Sequence, residues 1–379
     1  MRVLFGITGS ISAYKSLNTI RLLIKAGHSV TPILTHASLR FVTPWSLEAL
    51  AQTPPVTPNG EYANHIELAG DCLIIAPATA NSLAKYAHGI ADDPLSTLAL
   101  SFTGPKIISP AMHDSMIRHP ATQRNLDQLR ADGWLVIGPD TGDLSGMDHG
   151  EGRLVDSELL ALAVSLCATA TPPQRPHDHI VITAGGTQVP IDAVRVITNQ
   201  SSGRWGEMMA HVASLSGARV TLITSQPLRI HNPHITVIPV KTVSELQNEL
   251  TVRVESATHL YMMAAVSDFS VPMSVSKRSR TNSEALPLTP TVDILAHLTT
   301  PSHTIRVGFC LETDNLEAKT AKKRIQKSCD YMIGNTASTI GKANRSFLIL
   351  GPTATTPYTD MPLEFAAQSV LSATHYRTT

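Results

Sequence analysis

The chain has 379 residues, 42% hydrophobic and only 4% aromatic, with 30 Lys and Arg against 30 Asp and Glu. That length exceeds one ordinary core and points to two domains of roughly 100 to 200 residues. A formal charge of zero and no long Lys/Arg run speak against nucleic acid as a partner, and the longest apolar stretch, Leu159 to Ala170, falls well short of the ~20 residues of a membrane-spanning helix.

The N-terminal MRVLFGITGS has a brief apolar run but neither a long hydrophobic region nor a small-residue cleavage site, so it reads as a buried first strand rather than a leader. Apolar runs then recur between helix-length segments: VLFGI at 3–7, VTPIL at 30–34, CLIIA at 72–76, KIIS at 106–109 and WLVIG at 134–138. This alternation predicts βα units around a parallel sheet. Leu17, Ile20, Leu23 and Ile24 repeat at helical spacing, and Gly27 stands where that helix should stop.

Residues 168–178, ATATPPQRPHD, contain three prolines that cannot continue a helix or a central strand, which puts the domain boundary there. The expected division is 1–170, a linker at 171–178, and 179–379. The pattern restarts with HIVITAGGT at 179–187, ARVTLIT at 218–224, ITVIPV at 235–240, HLYMMAAV at 259–266, TIRVGFC at 304–310 and DYMIGN at 330–335, and implies a second parallel sheet. Residues 270–290, rich in Ser, Pro, Lys and Arg, read as a loop. Cys72, Cys167, Cys310 and Cys329 form no close pair, so the cysteines suggest neither a disulfide framework nor a zinc site, and a reduced, cytoplasmic chain is expected.

Two groups of residues carry chemistry in the first half. GITGSISAYK at 6–15 is a strand end, a Gly/Ser turn and a helix start, able to hold a phosphate on backbone N–H groups and the hydroxyls of Ser10 and Ser12. IIAPATANS at 74–82 is a second strand end followed by small hydroxyl residues. With PAMHDSM at 110–116 and the HIEL run that contains His65, these residues resemble the flavoprotein family of cysteine decarboxylases. The second half resembles the ligase fused to such a decarboxylase in bacteria, so the whole chain resembles the bifunctional coenzyme A biosynthesis family.

For the first half, the resemblance implies a flavodoxin-like, Rossmann-like α/β domain that binds FMN at Gly9, Ser10, Ile11, Thr35, Ala78 and Thr79. It implies oxidation of the cysteine side chain of 4′-phosphopantothenoylcysteine to a thioaldehyde, loss of carbon dioxide and reduction of the enethiol left behind. His65 would take a proton during oxidation, a task suited to imidazole near neutral pH; by spacing alone it would be a solvated loop histidine. Two departures stand out. The family's P-x-M-N motif is Pro110, Ala111, Met112 and His113, so imidazole replaces the amide that grips the substrate carboxylate. In the flap SGMDHGEGRL at 145–154, Gly150, Gly152 and the substrate-binding Arg153 are kept, but Gly146 stands where the family has its proton-donating cysteine. Either Asp148 or His149 substitutes, with His149 the expected acid, or the reductive half is lost.

For the second half, VITAGGTQVPIDAVRVITNQSSGRWG at 181–206 resembles the ligase signature. Gly185, Gly186 and Thr187 on one side of Asp192 and Arg195, and Ser201, Ser202 and Gly203 on the other, form two loops suited to anions. The resemblance implies a nucleotide-binding parallel-sheet domain that activates 4′-phosphopantothenate with CTP and Mg2+ and couples it to cysteine. Asn199 would steady the acyl-cytidylate, Asp268 and Phe309 would meet the base, and Lys277, Lys323 and Lys327 the triphosphate. The family's K-I-K-K is SKRSR at 276–280, which leaves the lysine's counterpart in that loop open, and Arg204 stands for the usual lysine. Without the signature, Lys323 and Lys327 would read as a solvated basic face. No metal ligands are assigned. The family also implies trimers of the N-terminal domain around a shared flavin site. Three readings remain open: a bifunctional enzyme, a working ligase with an impaired flavin half, and a non-enzymatic module on the same scaffold.

Overall fold

The structure is a computed structural model that describes all residues except 59–67, 145, 147–148, 168–174, 274–275, 278–284, 337–341 and 377–379. His65 and Asp148, most of the proline-containing stretch and much of the basic loop therefore lie outside the described residues. The chain comprises two compact units, Met1–Thr171 with Ile230–Pro233, and Pro172–Arg229 with His234–Thr379.

The first unit carries strands β1 (Arg2–Ile7), β2 (Ser29–Leu34), β3 (Cys72–Ala78), β4 (Lys106–Pro110) and β5 (Leu135–Val136), followed by the antiparallel pair β6 (Asp140–Asp143) and β7 (His149–Arg153). Its helices are α1 (Ala13–Lys25), α2 (Pro44–Ala51), α3 (Ala80–Ala87), α4 (Pro94–Ser101), α5 (Asp114–Ile117), α6 (Pro120–Ala131) and α7 (Ser157–Cys167). β1 to β5 form one parallel sheet in the order β2-β1-β3-β4-β5. The apolar runs become strands because helices cover the sheet: all seven residues of β3 are buried, as are Ile20 and Leu23 of α1. Gly27, at φ +86°, follows α1 in the left-handed conformation that glycine tolerates.

The second unit carries β8 (His179–Ala184), β9 (Gln188–Pro190), β10 (Val196–Thr198), β11 (Arg219–Thr224), β12 (Ile235–Pro239), β13 (His259–Met262), β14 (Phe269–Ser270), β15 (Thr289–Pro290), β16 (Ile305–Glu312), β17 (Tyr331–Thr336), β18 (Asn344–Leu350) and β19 (Thr355–Pro362). Its helices are α8 (Arg204–Leu215), α9 (Val243–Arg253), α10 (Ile294–His297), α11 (Leu316–Gln326) and α12 (Leu363–Ala373). The main sheet runs β12-β11-β8-β13-β16-β17-β18-β19. It is parallel through β17, the six runs expected from the sequence, and continues with the antiparallel β18 and β19. Only residues 351–354 separate β18 from β19, enough for a hairpin and too few for a parallel crossover. Within the 181–206 motif, β9 and β10 pair as a small hairpin. No helix among the described residues is long and apolar enough to cross a membrane.

Candidate active sites

In the first unit the strand order reverses between β1 and β3, the position where open α/β sheets bind ligands beyond the carboxyl ends of their strands. Thr8 ties these two ends together. Its Oγ1 donates to the Pro77 carbonyl at 2.8 Å and accepts from the Thr79 N–H at 3.1 Å. Gly9 then turns so close to Ala37 that a Cβ would stand 2.4 Å from the alanine Cβ. Ser10 Oγ accepts from Ser12 N–H at 3.3 Å, Ile11 is exposed, and Ser12 caps α1 without a side-chain hydrogen bond. Beyond β2, buried Thr35 accepts from Ser38 N–H at 3.3 Å; beyond β3, Ala78 is buried and Thr79 accepts from Ser82 N–H to start α3. Gly9, Ser10, Ile11, Thr35, Ala78 and Thr79 thus share one edge of the sheet.

The flap is seated on the segment after β4. Met112 N–H donates to the Gly152 carbonyl at 2.9 Å, and Glu151 N–H to Asp114 Oδ1 at 3.0 Å. Gly152, at φ +138°, has no room for a side chain, because a Cβ would lie 2.0 Å from the Met112 oxygen. His113 is exposed and caps α5, its Nδ1 accepting from Ser115 N–H at 3.3 Å. His149 opens β7, also exposed, with Nδ1 3.2 Å from Asp143 Oδ1. Gly146 lies in an exposed turn, and Arg153 closes β7 with Nη2 3.5 Å from Asp156 Oδ1. Lys15 donates to the Leu154 carbonyl at 3.2 Å, and burial, followed by the charge of Arg153, lowers its pKa.

In the second unit a cavity of about 620 Å³ opens at the carboxyl ends of β8, β13 and β16. The two glycine-containing loops meet there, since a Cβ on Gly186 would lie 2.7 Å from the Asn199 carbonyl oxygen. Gly203, at φ +69°, starts α8. Asn199 lines the cavity and donates from Nδ2 to the carbonyls of Ala265 and Val266 at 3.2 and 3.1 Å. Asp268, Phe309, Lys323 and Lys327 share the lining. Phe309 meets Trp205 edge-on at 5.4 Å; Lys323 Nζ is 2.6 Å from Glu312 Oε1, and Lys327 Nζ is 3.2 Å from Asp293 Oδ2. Exposed Lys277 is not part of the lining. Asp192 and Arg195, also outside it, pair with each other: the buried Asp192 carboxylate accepts from the N–H groups of Val194 and Arg195 at 2.8 Å and closes the turn between β9 and β10.

Residues 1–165 match the flavoprotein family, and residues 176–375 match the DNA/pantothenate metabolism flavoprotein C-terminal domain. The chain is 36% identical over 347 residues to the coenzyme A biosynthesis bifunctional protein CoaBC of Bacillus subtilis, covering 88% of this chain and 85% of that protein. Against the Escherichia coli K12 protein of the same name it is 34% identical over 351 residues, covering 89% and 86%. The chain belongs to the bifunctional coenzyme A biosynthesis family. Among solved structures, it is similar to the FMN-dependent cysteine decarboxylase SpaF, at 33% identity and a TM-score of 0.40, over 45% of this chain and 98% of that one.

Sequence reasoning from the bifunctional family's motifs misses two charged residues, Glu312 and Arg345. Glu312 and Asp293 hold the two lysines in place, and Arg345 of β18 reaches the cavity from an antiparallel strand that no motif announced. Arg345 donates to the Asn344 carbonyl at 3.1 Å and lies 5.9 Å from the Trp205 ring; burial, then the charge of Arg204, lowers its pKa. The alternating RSFLIL of β18 signals a strand but not which cavity that strand borders.

Proposed function

We propose that residues 179–379 join 4′-phosphopantothenate to cysteine at the expense of CTP, and that residues 1–170 bind FMN and decarboxylate the product to 4′-phosphopantetheine. Residues 171–178 link the two activities. The observation that carries the reading is the single cavity in which Asn199, Asp268, Phe309, Lys323 and Lys327 come together from separate segments.

A carboxylate attacking the α-phosphate of a nucleotide brings two anions together, so the site must supply positive charge. Lys323 and Lys327 supply it where the triphosphate would lie, joined by Lys277 from the loop and by Arg345. Both lysines are now paired with carboxylates and would exchange them for phosphate oxygens. Phe309 offers a ring face and Asp268 an acceptor for the cytosine. Asn199, held against two carbonyls, orients the acyl-cytidylate while the amine of cysteine displaces CMP. Mg2+, an oxygen-seeking cation, would accompany the triphosphate, with the Asp293 carboxylate as a donor in the lining.

The first unit fits a flavin phosphate. The Gly9 turn has no room for a side chain, and the opening turn of α1 has no side-chain acceptor on it. One phosphate-binding turn favours a mononucleotide over a dinucleotide. FMN, when bound, supplies the two-electron oxidation and the return of those electrons. His65 takes a proton during the oxidation, His113 and Arg153 hold the substrate's anionic groups, and His149 delivers a proton in place of the family's flap cysteine. Gly146 at that cysteine's position supports a second reading, in which the reaction stops at the enethiol. Trimers built on the first unit, with subunits sharing a flavin site, belong to the same proposal and are tested by sedimentation.

The reading is tested by incubating the purified chain with CTP, Mg2+, 4′-phosphopantothenate and cysteine. Release of pyrophosphate and CMP in equal amounts is expected, and no pyrophosphate with the acid present overturns the ligase assignment. Equal use of ATP would remove the cytosine claim and leave the mechanism.

A further inference from the structure

At the opposite edge of the second unit's sheet from its cavity, three side chains converge that the reaction does not use. Asp178 immediately precedes β8, His259 opens the neighbouring strand β13, and His375 follows α12. The cavity uses the far ends of the same strands, at Ala184 and Met262; six residues of β8 amount to roughly 20 Å of extended chain.

The ligand atoms of Asp178, His259 and His375 all lie within 4.8 Å of one another. The Nδ1 atoms of His259 and His375 each stand 3.8 Å from Asp178 Oδ2. That spacing is too long for a hydrogen bond, but it suits two atoms that each bind one ion at ~2.0 to 2.2 Å. His375 Nδ1 is buried and makes no hydrogen bond. His259 Nε2 lies 3.3 Å from the His375 carbonyl, which fixes the His259 ring with Nδ1 on the Asp178 side. His259 Nδ1 contacts Thr258 Oγ1 at 2.9 Å, and that hydroxyl has the His179 backbone as its other partner, accepting from the N–H at 3.1 Å and donating to the carbonyl at 3.2 Å.

One charge opposes a cation. The Arg175 guanidinium, wholly buried and hydrogen-bonded to the Leu371 carbonyl, lies 3.5 Å from Asp178 Oδ2. A carboxylate has two oxygens and can serve both a metal and an outer hydrogen-bond donor, but the nearby positive charge weakens the attraction. The site therefore depends on its imidazoles, which favour zinc, cobalt, nickel or copper over magnesium or calcium.

We propose that Asp178, His259 and His375 form a transition-metal site of the zinc class that fastens the C-terminal end of α12 to the start of β8 and β13, with the fourth position left to water. This site is independent of the nucleotide reading and concerns stability rather than turnover.

The experiment is a Co2+ titration of the metal-stripped full-length chain, followed in the visible spectrum and by thermal melting. One equivalent of Co2+ is expected to give a saturating absorption of the tetrahedral type, to be displaced by Zn2+, and to raise the melting temperature. His375→Ala and Asp178→Asn should each abolish both effects, while His375→Ala leaves pyrophosphate release unchanged and so shows that the fold survives. Absence of a saturable one-equivalent spectrum overturns the proposal. So does binding that persists in both variants, since that would place the ion on other histidines among the 16 in the chain.

Discussion

Lys323 Nζ lies 2.6 Å from Glu312 Oε1, and only a tenth of the Glu312 side chain is exposed. Lys319 Nζ stands 3.6 Å from the other Glu312 oxygen, so the carboxylate keeps a cation when Lys323 turns toward a ligand. Lys323 can thus leave Glu312 without leaving a buried charge unpaired. Lys323→Ala should raise the KM for CTP by about 10-fold or more, the scale of one charge-assisted hydrogen bond, with the melting temperature little changed. Steady-state kinetics at varied CTP check this; an unchanged KM removes Lys323 from the triphosphate site.

The Asn199 amide donates to two carbonyls, those of Ala265 and Val266. Asn199→Asp keeps the shape, loses both donors and points a carboxylate at carbonyl oxygens. Pyrophosphate should still be released, while transfer to cysteine slows by roughly 100-fold, as for loss of a positioned donor. Rapid quench with labelled 4′-phosphopantothenate should then reveal the acyl-cytidylate accumulating. Equal slowing of both steps would assign Asn199 to folding instead.

Cys310 borders the same cavity, whereas Cys329 is buried. Burial raises both thiol pKa values, Cys329 to about 11, so both should react slowly with alkylating reagents at neutral pH. Cys310 should react before Cys329, and CTP with Mg2+ should slow it several-fold. Peptide mass spectrometry reads both; labelling of Cys310 indifferent to nucleotide places the ligand elsewhere.

In the first unit, Gly9→Ala puts a methyl 2.4 Å from the Ala37 Cβ and must displace the phosphate-binding turn. FMN should be lost, as seen in the visible spectrum of the purified variant, while CTP-dependent pyrophosphate release persists. Retention of stoichiometric flavin would move the phosphate away from this turn.

The proposed role of His149 in the flap predicts how far the flavin reaction goes. With 4′-phosphopantothenoylcysteine in a single turnover without oxygen, the flavin should bleach and then recover; in His149→Ala it should bleach and stay reduced. Recovery at the same rate in both assigns the proton to another group, and lasting bleaching in the unmodified chain favours the oxidative half alone.

The parallel strands were legible because burial on both faces leaves continuous apolar runs, as in CLIIA of β3, and Gly27 marked the end of α1. The antiparallel edge was not, because β19 is TTPYTDMP, exposed along most of its length and without an apolar run. Asn199, Lys323 and Lys327 could be picked out through their motifs, whereas Glu312, the partner of Lys323, acquires meaning only when β16 borders the cavity. Asp192 and Arg195, between the two loops, pair with each other and close a turn.

The central claim is that one chain carries out both reactions in sequence, and carboxyl-labelled cysteine tests it most directly. Given the FMN-loaded chain with CTP, Mg2+ and 4′-phosphopantothenate, labelled carbon dioxide should appear after pyrophosphate, and omission of CTP should abolish both. Carbon dioxide released from labelled cysteine without CTP, or no pyrophosphate with every substrate present, would contradict the account.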